Sequence, residues 1–537
     1  MGSRFENKPK ALLFDLLFIL LGYAALVLAA SLKGGVPLSP SAPLEFVKAI
    51  RFNWPQWWGI TVVLVAGFIF MGLAGNPFRR VASYGDARPA TKAEAKKMGL
   101  LADKGIILGR AWGRYIRTDE PLSIVVLAPP GTGKTASIAI PTLLSAGHSF
   151  VVNDVKGELF EKTAGVRSHY GRVIQFAPAE EVSAKWNPLG PSELPESWPA
   201  KITHVERIAS RIYVIRDEGG DDYWTREGRA LFVFYALYLL WKEGAASLPA
   251  IRSLALSTDD VQGWIADALD EGGEDLPQRI REEGNGMLQK GDKEFGSVFG
   301  TFKSGLQAFA DPIVSENTSG ACDFSAKALR LEPTTVYIKV APEDIGRLAP
   351  LIRVLVEQMA DQLLSCSWNK DTEQRITFLL DEMPRLGKLD TIINMPALSR
   401  SYGVNAIMIA QDYGQIEECY GKIGISKIDG TAEYHVIFQQ SNQATAEAYS
   451  KKIGTTTRLK VSKSRSSSLK ASGGGGSKSE NQEGVPLLLP QEITDLGEMD
   501  VIIMRKGNYT RPIFAKQARW YMDNALIKRH AAGQAVL

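Results

Sequence analysis

The chain has 537 residues, more than one hydrophobic core usually organises, so two or three folded units are expected besides any membrane segment. Charged residues make up 23% and the formal net charge is only +3, so the overall charge points to no nucleic-acid partner and any basic site must be local. Cys322, Cys366 and Cys419 are too widely spaced for a short zinc or redox pairing, and His148, His169, His204, His435 and His530 are scattered singly; a reducing compartment and no transition metal are expected.

Residues 11–30 (ALLFDLLFILLGYAALVLAA) and 57–74 (WWGITVVLVAGFIFMGLA) are each long and apolar enough, as helices, to cross a hydrocarbon core of about 30 Å. Asp15 falls in the first turns of the first span, and Trp54, Trp57 and Trp58 mark the interfacial start of the second. Arg4, Lys8 and Lys10 before the spans and Arg79, Arg80 and Arg88 after them, against Lys33, Lys48 and Arg51 between, put both ends in the cytoplasm. A cleaved signal peptide is the alternative for residues 1–30; Leu28 spoils its cleavage site, and the second span would still remain as an anchor.

From about residue 100, short β-branched runs at 123–130, 149–155, 172–178, 335–342, 375–382, 405–411, 434–440 and 500–507 alternate with helical stretches. Continuous apolar strands of this kind predict a parallel sheet covered on both faces. After the first run comes Ala128-Pro129-Pro130-Gly131-Thr132-Gly133-Lys134-Thr135, followed by a helical run, which is the context of a phosphate-binding loop. Gly131, Thr132 and Gly133 would turn backbone N–H groups around the phosphates of ATP, Lys134 would reach the β- and γ-phosphates, and the Thr135 hydroxyl would ligate Mg²⁺. The first glycine of the usual pattern is here Ala128, small enough for the loop to tolerate.

Between Asn187-Pro188-Leu189 and about residue 322 the pattern becomes helical, which predicts an all-α domain at 190–322 inserted into the α/β core. The aromatic stripe of Tyr223, Trp224, Phe232, Phe234, Tyr235, Tyr238 and Trp241 fits core packing better than a base-stacking platform. Further on, Thr377-Phe378-Leu379-Leu380 leads into Asp381-Glu382 at a strand end. Asp381 suits the Mg²⁺ shell, and Glu382 suits orienting and deprotonating an attacking water.

Gln411, ending the next strand, is a candidate sensor of the γ-phosphate, and Arg400 a candidate arginine finger directed at a neighbouring subunit; each equally fits a salt bridge or a strand-end polar group. Residues 451–470 carry seven basic side chains and no acid before a Ser/Gly-rich run, so 451–483 reads as a flexible basic loop, able to follow a phosphate backbone or simply be solvated.

Taken together, the two N-terminal spans, the phosphate loop continuing as ASIAIPTLL, VVNDVKGELF, the Asn187-Pro188-Leu189 turn, DDYWTREGRALF, FLLDEMPRLGKLD, YGVNAIMIAQ and TAEAYSKKIGTTT resemble the type IV coupling proteins, membrane ATPases of conjugation and type IV secretion. The resemblance implies a RecA-like P-loop domain (100–189 and 323–525), a two-helix membrane region within 1–80, the all-α domain facing the cytoplasm, and a homohexamer with ATP sites between subunits. It also implies an inner-membrane location, type IV secretion channel proteins as partners, and relaxase-bound single-stranded DNA or effector proteins as cargo. It strengthens Arg400 as the finger and Gln411 as the sensor. Residues 526–537 read as a short C-terminal tail without an acidic run, which weakens the case for recruiting protein cargo through it. The alternative function is a membrane receptor that docks cargo and uses nucleotide only for regulation.

Overall fold

The computed structural model describes residues 84–215, 223–395, 399–465 and 476–534. The expected spans at 11–30 and 57–74 lie outside the described residues; among those described, no helix is long and apolar enough to cross a membrane.

All eight expected runs form strands: β3 (Ile124–Leu127), β4 (Ser149–Asp154), β5 (Arg172–Phe176), β6 (Thr334–Lys339), β7 (Ile376–Leu380), β8 (Val404–Ala410), β9 (Tyr434–Ile437) and β12 (Asp500–Arg505). Three further strands join them: β1 (Ile106–Ala111), β2 (Arg114–Thr118) and β13 (Ile513–Lys516). The eleven strands lie in the order β2-β1-β13-β12-β9-β3-β8-β7-β4-β6-β5. Neighbours from β9 through β5 are parallel. Beyond β9 the sheet continues antiparallel.

The runs are apolar at every position because the sheet is buried on both faces. Ile124 and Val126 point into one core with Val152, Leu379 and Ile407, while Val125 and Leu127 point into the other with Val151, Phe378 and Met408. Two-sided burial of this kind follows when helices cover both faces of a parallel sheet.

Between β5 and β6 the described residues form helices and no strand. Asn187 opens this region with an Asx turn, its Oδ1 accepting from Leu189 N at 3.0 Å while its Nδ2 donates to Ala246 O at 2.9 Å. The helix Tyr223–Lys242 is apolar around most of its circumference and sits centrally, packed by the helices Trp198–Ile212, Gln278–Leu288 and Asp292–Gly305. Phe232, Phe234, Tyr235 and Tyr238 of the aromatic stripe are buried, and Tyr235 stacks on Trp264 at 5.4 Å. Trp224 is exposed. The helical core is continuous with one face of the sheet, so packing ties the 190–322 stretch directly to the strands.

Two expectations are corrected. The basic stretch is not a loop over its described length: the helix Gln443–Ile453 is followed by β10 (Thr455–Arg465), which pairs with β11 (Gly476–Pro486) in a separate two-stranded sheet. The three consecutive threonines at 455–457 and the alternation of Leu459 and Val461 favour a strand, and the density of charge hid this pattern. Residues 466–475 lie outside the described residues.

Nor are residues 526–534 a tail, since Asn524–Gln534 is a helix with Leu526 buried. It packs on the helix Glu158–Tyr170 through small residues that hydropathy does not flag. A Cβ at Gly165 would fall 2.2 Å from the backbone oxygen of Gly533, so only glycine permits this approach. Gly165→Ala should therefore push the two helices apart and cost about 1–3 kcal/mol, read as a lower thermal unfolding midpoint. An unchanged midpoint would contradict this packing.

Candidate nucleotide-binding site

The carboxyl edge of the parallel strands is where an open α/β sheet offers backbone N–H groups and strand-end side chains to a ligand. Here β3 ends in the glycine-containing loop. Ala128 continues the strand pairing, its N–H donating to Ala410 O at 3.0 Å, and the backbone does not enter the left-handed region there; this position needs no glycine. Gly131 and Gly133 do, at φ 78° and 89°. The chain then enters a helix whose first turn, Thr135–Ala139, is π-helical, with Ile140 N–H reaching back to Thr135 O. Pro141, in the α-helical turn that follows, has no N–H to donate to Ser137 O, and one turn earlier the Ser137 N–H and hydroxyl both donate to Gly133 O, at 2.9 and 2.7 Å.

β8 lies between β3 and β7, with Ala410 beside Leu127 and Met408 beside Leu380. This register brings the end of β7 to the loop. Lys134 Nζ is 3.2 Å from Asp381 Oδ1 and 3.5 Å from Glu382 Oε1, and Thr135 Oγ1 donates to Asp381 Oδ2 at 3.2 Å. Lys134 and Asp381 are 12% and 15% exposed, so the ion pair is mostly shielded from water. Lys134 Nζ and Asp381 Oδ1 are buried without a hydrogen bond of good geometry. A cradle of left-handed glycines beside an under-bonded ammonium and carboxylate is a donor set that fits a magnesium-bound polyphosphate.

Gln411 follows Ala410 directly, so the backbone carries it to this same edge between the two strand ends; its N–H donates to Gln415 Oε1 at 2.9 Å. Arg400 is elsewhere. It precedes β8 at the amino end of the parallel strands and pairs with Glu120 at 3.2 Å, with 62% of its side chain exposed. The length of β8, about 3.3 Å per residue, separates it from the loop of its own chain.

Several residues at this edge were not singled out from the sequence. Asn153, at the end of β4, donates from Nδ2 to the backbone oxygen of Asp381 at 2.8 Å and fixes the turn carrying the acidic pair. Asp154 beside it accepts from Leu159 N and Phe160 N at 3.2 and 2.7 Å, and so holds the start of the helix Glu158–Tyr170. Burial pushes the Asp154 carboxyl up, and those two donors pull it back. Both residues stand in the VVNDVKGELF motif, whose spacing alone gives no role.

Glu382 occupies the left-handed region at φ 55°, unusual for a non-glycine residue, and Arg385 Nε holds its carboxylate at 2.8 Å. Gln440 donates from Nε2 to Leu127 O at 3.0 Å, where β3 gives way to the loop. From β13, Gln517 Nε2 donates to Thr132 O at 2.9 Å, and its Oε1 accepts from Arg519 Nε at 2.9 Å. Only the fold brings this last pair, almost 400 residues away in sequence, to the loop.

The family model described as "Type IV secretory system Conjugative DNA transfer" matches residues 88–536. The conjugal transfer protein TraG of Escherichia coli is 31% identical over 421 residues, which are 70% of this chain and 65% of TraG. VirD4 of Agrobacterium fabrum is 30% identical over 463 residues, 84% of this chain and 67% of VirD4. The match to TraG thus spans about two thirds of that relative's length. Among solved structures, the bacterial conjugative coupling protein TrwBdeltaN70 superposes with a TM-score of 0.61 at 17% identity, covering 81% of this chain and 95% of that one. TrwB in complex with the ATP analogue ADPNP gives 0.60 at 18%, covering 82% and 96%. At that identity the likeness is one of fold, and the eleven-stranded sheet agrees with it. With the family model spanning nearly all of the described chain, the protein belongs to the type IV secretory system conjugative DNA transfer family.

Proposed function

We propose that this chain is the ATP-hydrolysing coupling protein of a type IV secretion or conjugation system, which receives a relaxase–DNA complex or an effector protein and drives its passage. The observation that carries the reading is the convergence of Lys134, Thr135, Asp381 and Glu382 within 3.5 Å contacts at the carboxyl edge of β3 and β7. Membership of the family and the nucleotide complexes of TrwB support it.

In this reading, Lys134 leaves the carboxylates to bind the β- and γ-phosphate oxygens, while the N–H groups of Gly131, Thr132, Gly133, Lys134 and Thr135 donate to the remaining phosphate oxygens. Thr135 and Asp381 hold Mg²⁺, which when bound neutralises charge on the phosphate oxygens. Glu382 orients the attacking water and takes its proton. Gln411, one residue beyond the strand pairing, senses the γ-phosphate and passes its presence to β8. Arg400 lies too far from its own loop to act there, so its role as a finger requires the neighbouring subunit of a homohexamer. The two N-terminal spans would anchor the ring in the inner membrane beside the channel proteins, with the 190–322 helices toward the cytoplasm.

Steady-state phosphate release by the full chain, with and without single-stranded DNA, tests the proposal. Stimulated turnover is expected. ATP binding without turnover, with or without DNA, would favour a nucleotide-regulated docking receptor instead.

The strand β10 supplies the local basic site. Replacing Lys460, Lys463 and Arg465 together with alanine should flatten the log–log salt dependence of single-strand binding by about two. An unchanged slope and affinity would remove β10 from the DNA interface.

A further inference from the structure

A cavity of about 420 Å³ adjoins the phosphate loop, lined among others by Arg110, Trp112, Lys516, Gln517, Arg519 and Met522. Gln517 is the residue that bonds Thr132 O, and Arg519 Nε would lie 3.1 Å from a Cβ placed on Gly133. Gln517 and Arg519 thus stand between the loop and the cavity. Its size suits a nucleobase with its ribose.

The hairpin that walls it is unusual. β1 and β2 are joined by the two residues Trp112 and Gly113, at φ 52° and 72°. Two positive φ values are what the tight hairpin turn requires, and asparagine or glycine normally supplies both. A tryptophan there is strained. It is also 42% exposed. Met522, on the same cavity, is 61% exposed.

Arg519 is fixed by Gln517 and by Glu498 at 2.8 Å. Arg110 is fixed by Asp523 at 2.8 Å, and Asp523 in turn accepts from the Tyr115 hydroxyl. The cationic walls are thus held in place by partners, while Trp112 on the same cavity is part-exposed. Strain and apolar exposure at one residue, retained beside a phosphate loop, indicate a binding surface.

We propose that Trp112 stacks on the base of the nucleotide whose phosphates the loop holds, with Met522 and the Arg519 side chain closing the pocket around base and ribose. This rests on the nucleotide-binding reading of the loop and adds to it the residue that binds the base. Because every base has a π-face, such a pocket is tolerant of base identity. ATP and GTP should be bound alike.

Calorimetric titration of the full chain with Mg²⁺ and ATP, GTP or inorganic tripolyphosphate separates the parts. Trp112→Ala should weaken ATP and GTP by about tenfold and leave tripolyphosphate unchanged, and Trp112→Phe should recover most of the loss. If Trp112→Ala binds ATP as the native chain does, the base pocket is wrong and the loop assignment stands. If Trp112→Ala loses tripolyphosphate as much as ATP, Trp112 is only structural and the proposal falls. If the native chain binds neither ATP nor tripolyphosphate, the loop assignment itself fails and the pocket with it.

Discussion

Lys134→Ala should reduce ATP turnover by about 10²–10³-fold, the usual effect of removing one preorganised donor from developing phosphate charge. The geometry gives the substitution two consequences. Lys134 is the cation that faces both Asp381 and Glu382, so its loss takes the counter-charge from Asp381 and leaves Glu382 to Arg385 alone. Both Mg²⁺ retention and water activation should therefore suffer along with phosphate binding. Lys134→Arg should not rescue, because a planar guanidinium cannot replace a compact ammonium between the two carboxylates and the loop. Phosphate release, Mg²⁺-ATP titration and a thermal unfolding control check this together. Turnover at the native rate in a folded Lys134→Ala protein would remove the loop from the chemistry.

How far the sequence reaches depends on whether a feature is local. The strands of the parallel sheet are readable because two-sided burial makes each run continuously apolar, and the phosphate loop is readable because glycines, lysine and threonine must stand at fixed spacing along one turn. Asp381 and Glu382 are readable as a strand-end acidic pair, although only the β3-β8-β7 order puts them on Lys134. Gln517, Arg519 and Trp112 carry no local pattern. They stand at the antiparallel extension, and their placement is a product of the β12-β13-β1 topology. The β10 strand was obscured because charge, more than alternation, dominates its composition, and the C-terminal helix because a glycine-to-glycine approach has no hydrophobic signature. Arg400 is the opposite case: its place before β8 is clear from the sequence, yet the fold sets it at the far end of the sheet, and only a neighbouring chain could bring it to a phosphate.

Glu382→Gln should lower turnover by about 10²–10⁴-fold while leaving Mg²⁺-ATP affinity close to native, since the amide keeps the side chain's size but cannot take a proton. The backbone offers a sharper test of whether Glu382 is functional or merely a strand-end acid. Its φ of 55° places a long side chain where asparagine is better tolerated, at a cost of about 1–2 kcal/mol for most other residues. A purely structural role would favour a residue that suits that conformation. Glu382→Asn should relax the backbone and raise the thermal midpoint slightly, even after losing the Arg385 ion pair, which joins partly exposed groups and contributes little. The same variant should be inactive. Greater stability with lost hydrolysis is the signature of strain kept for chemistry. A destabilised but active Glu382→Asn protein would assign the water to some other base and leave the left-handed turn a matter of packing alone.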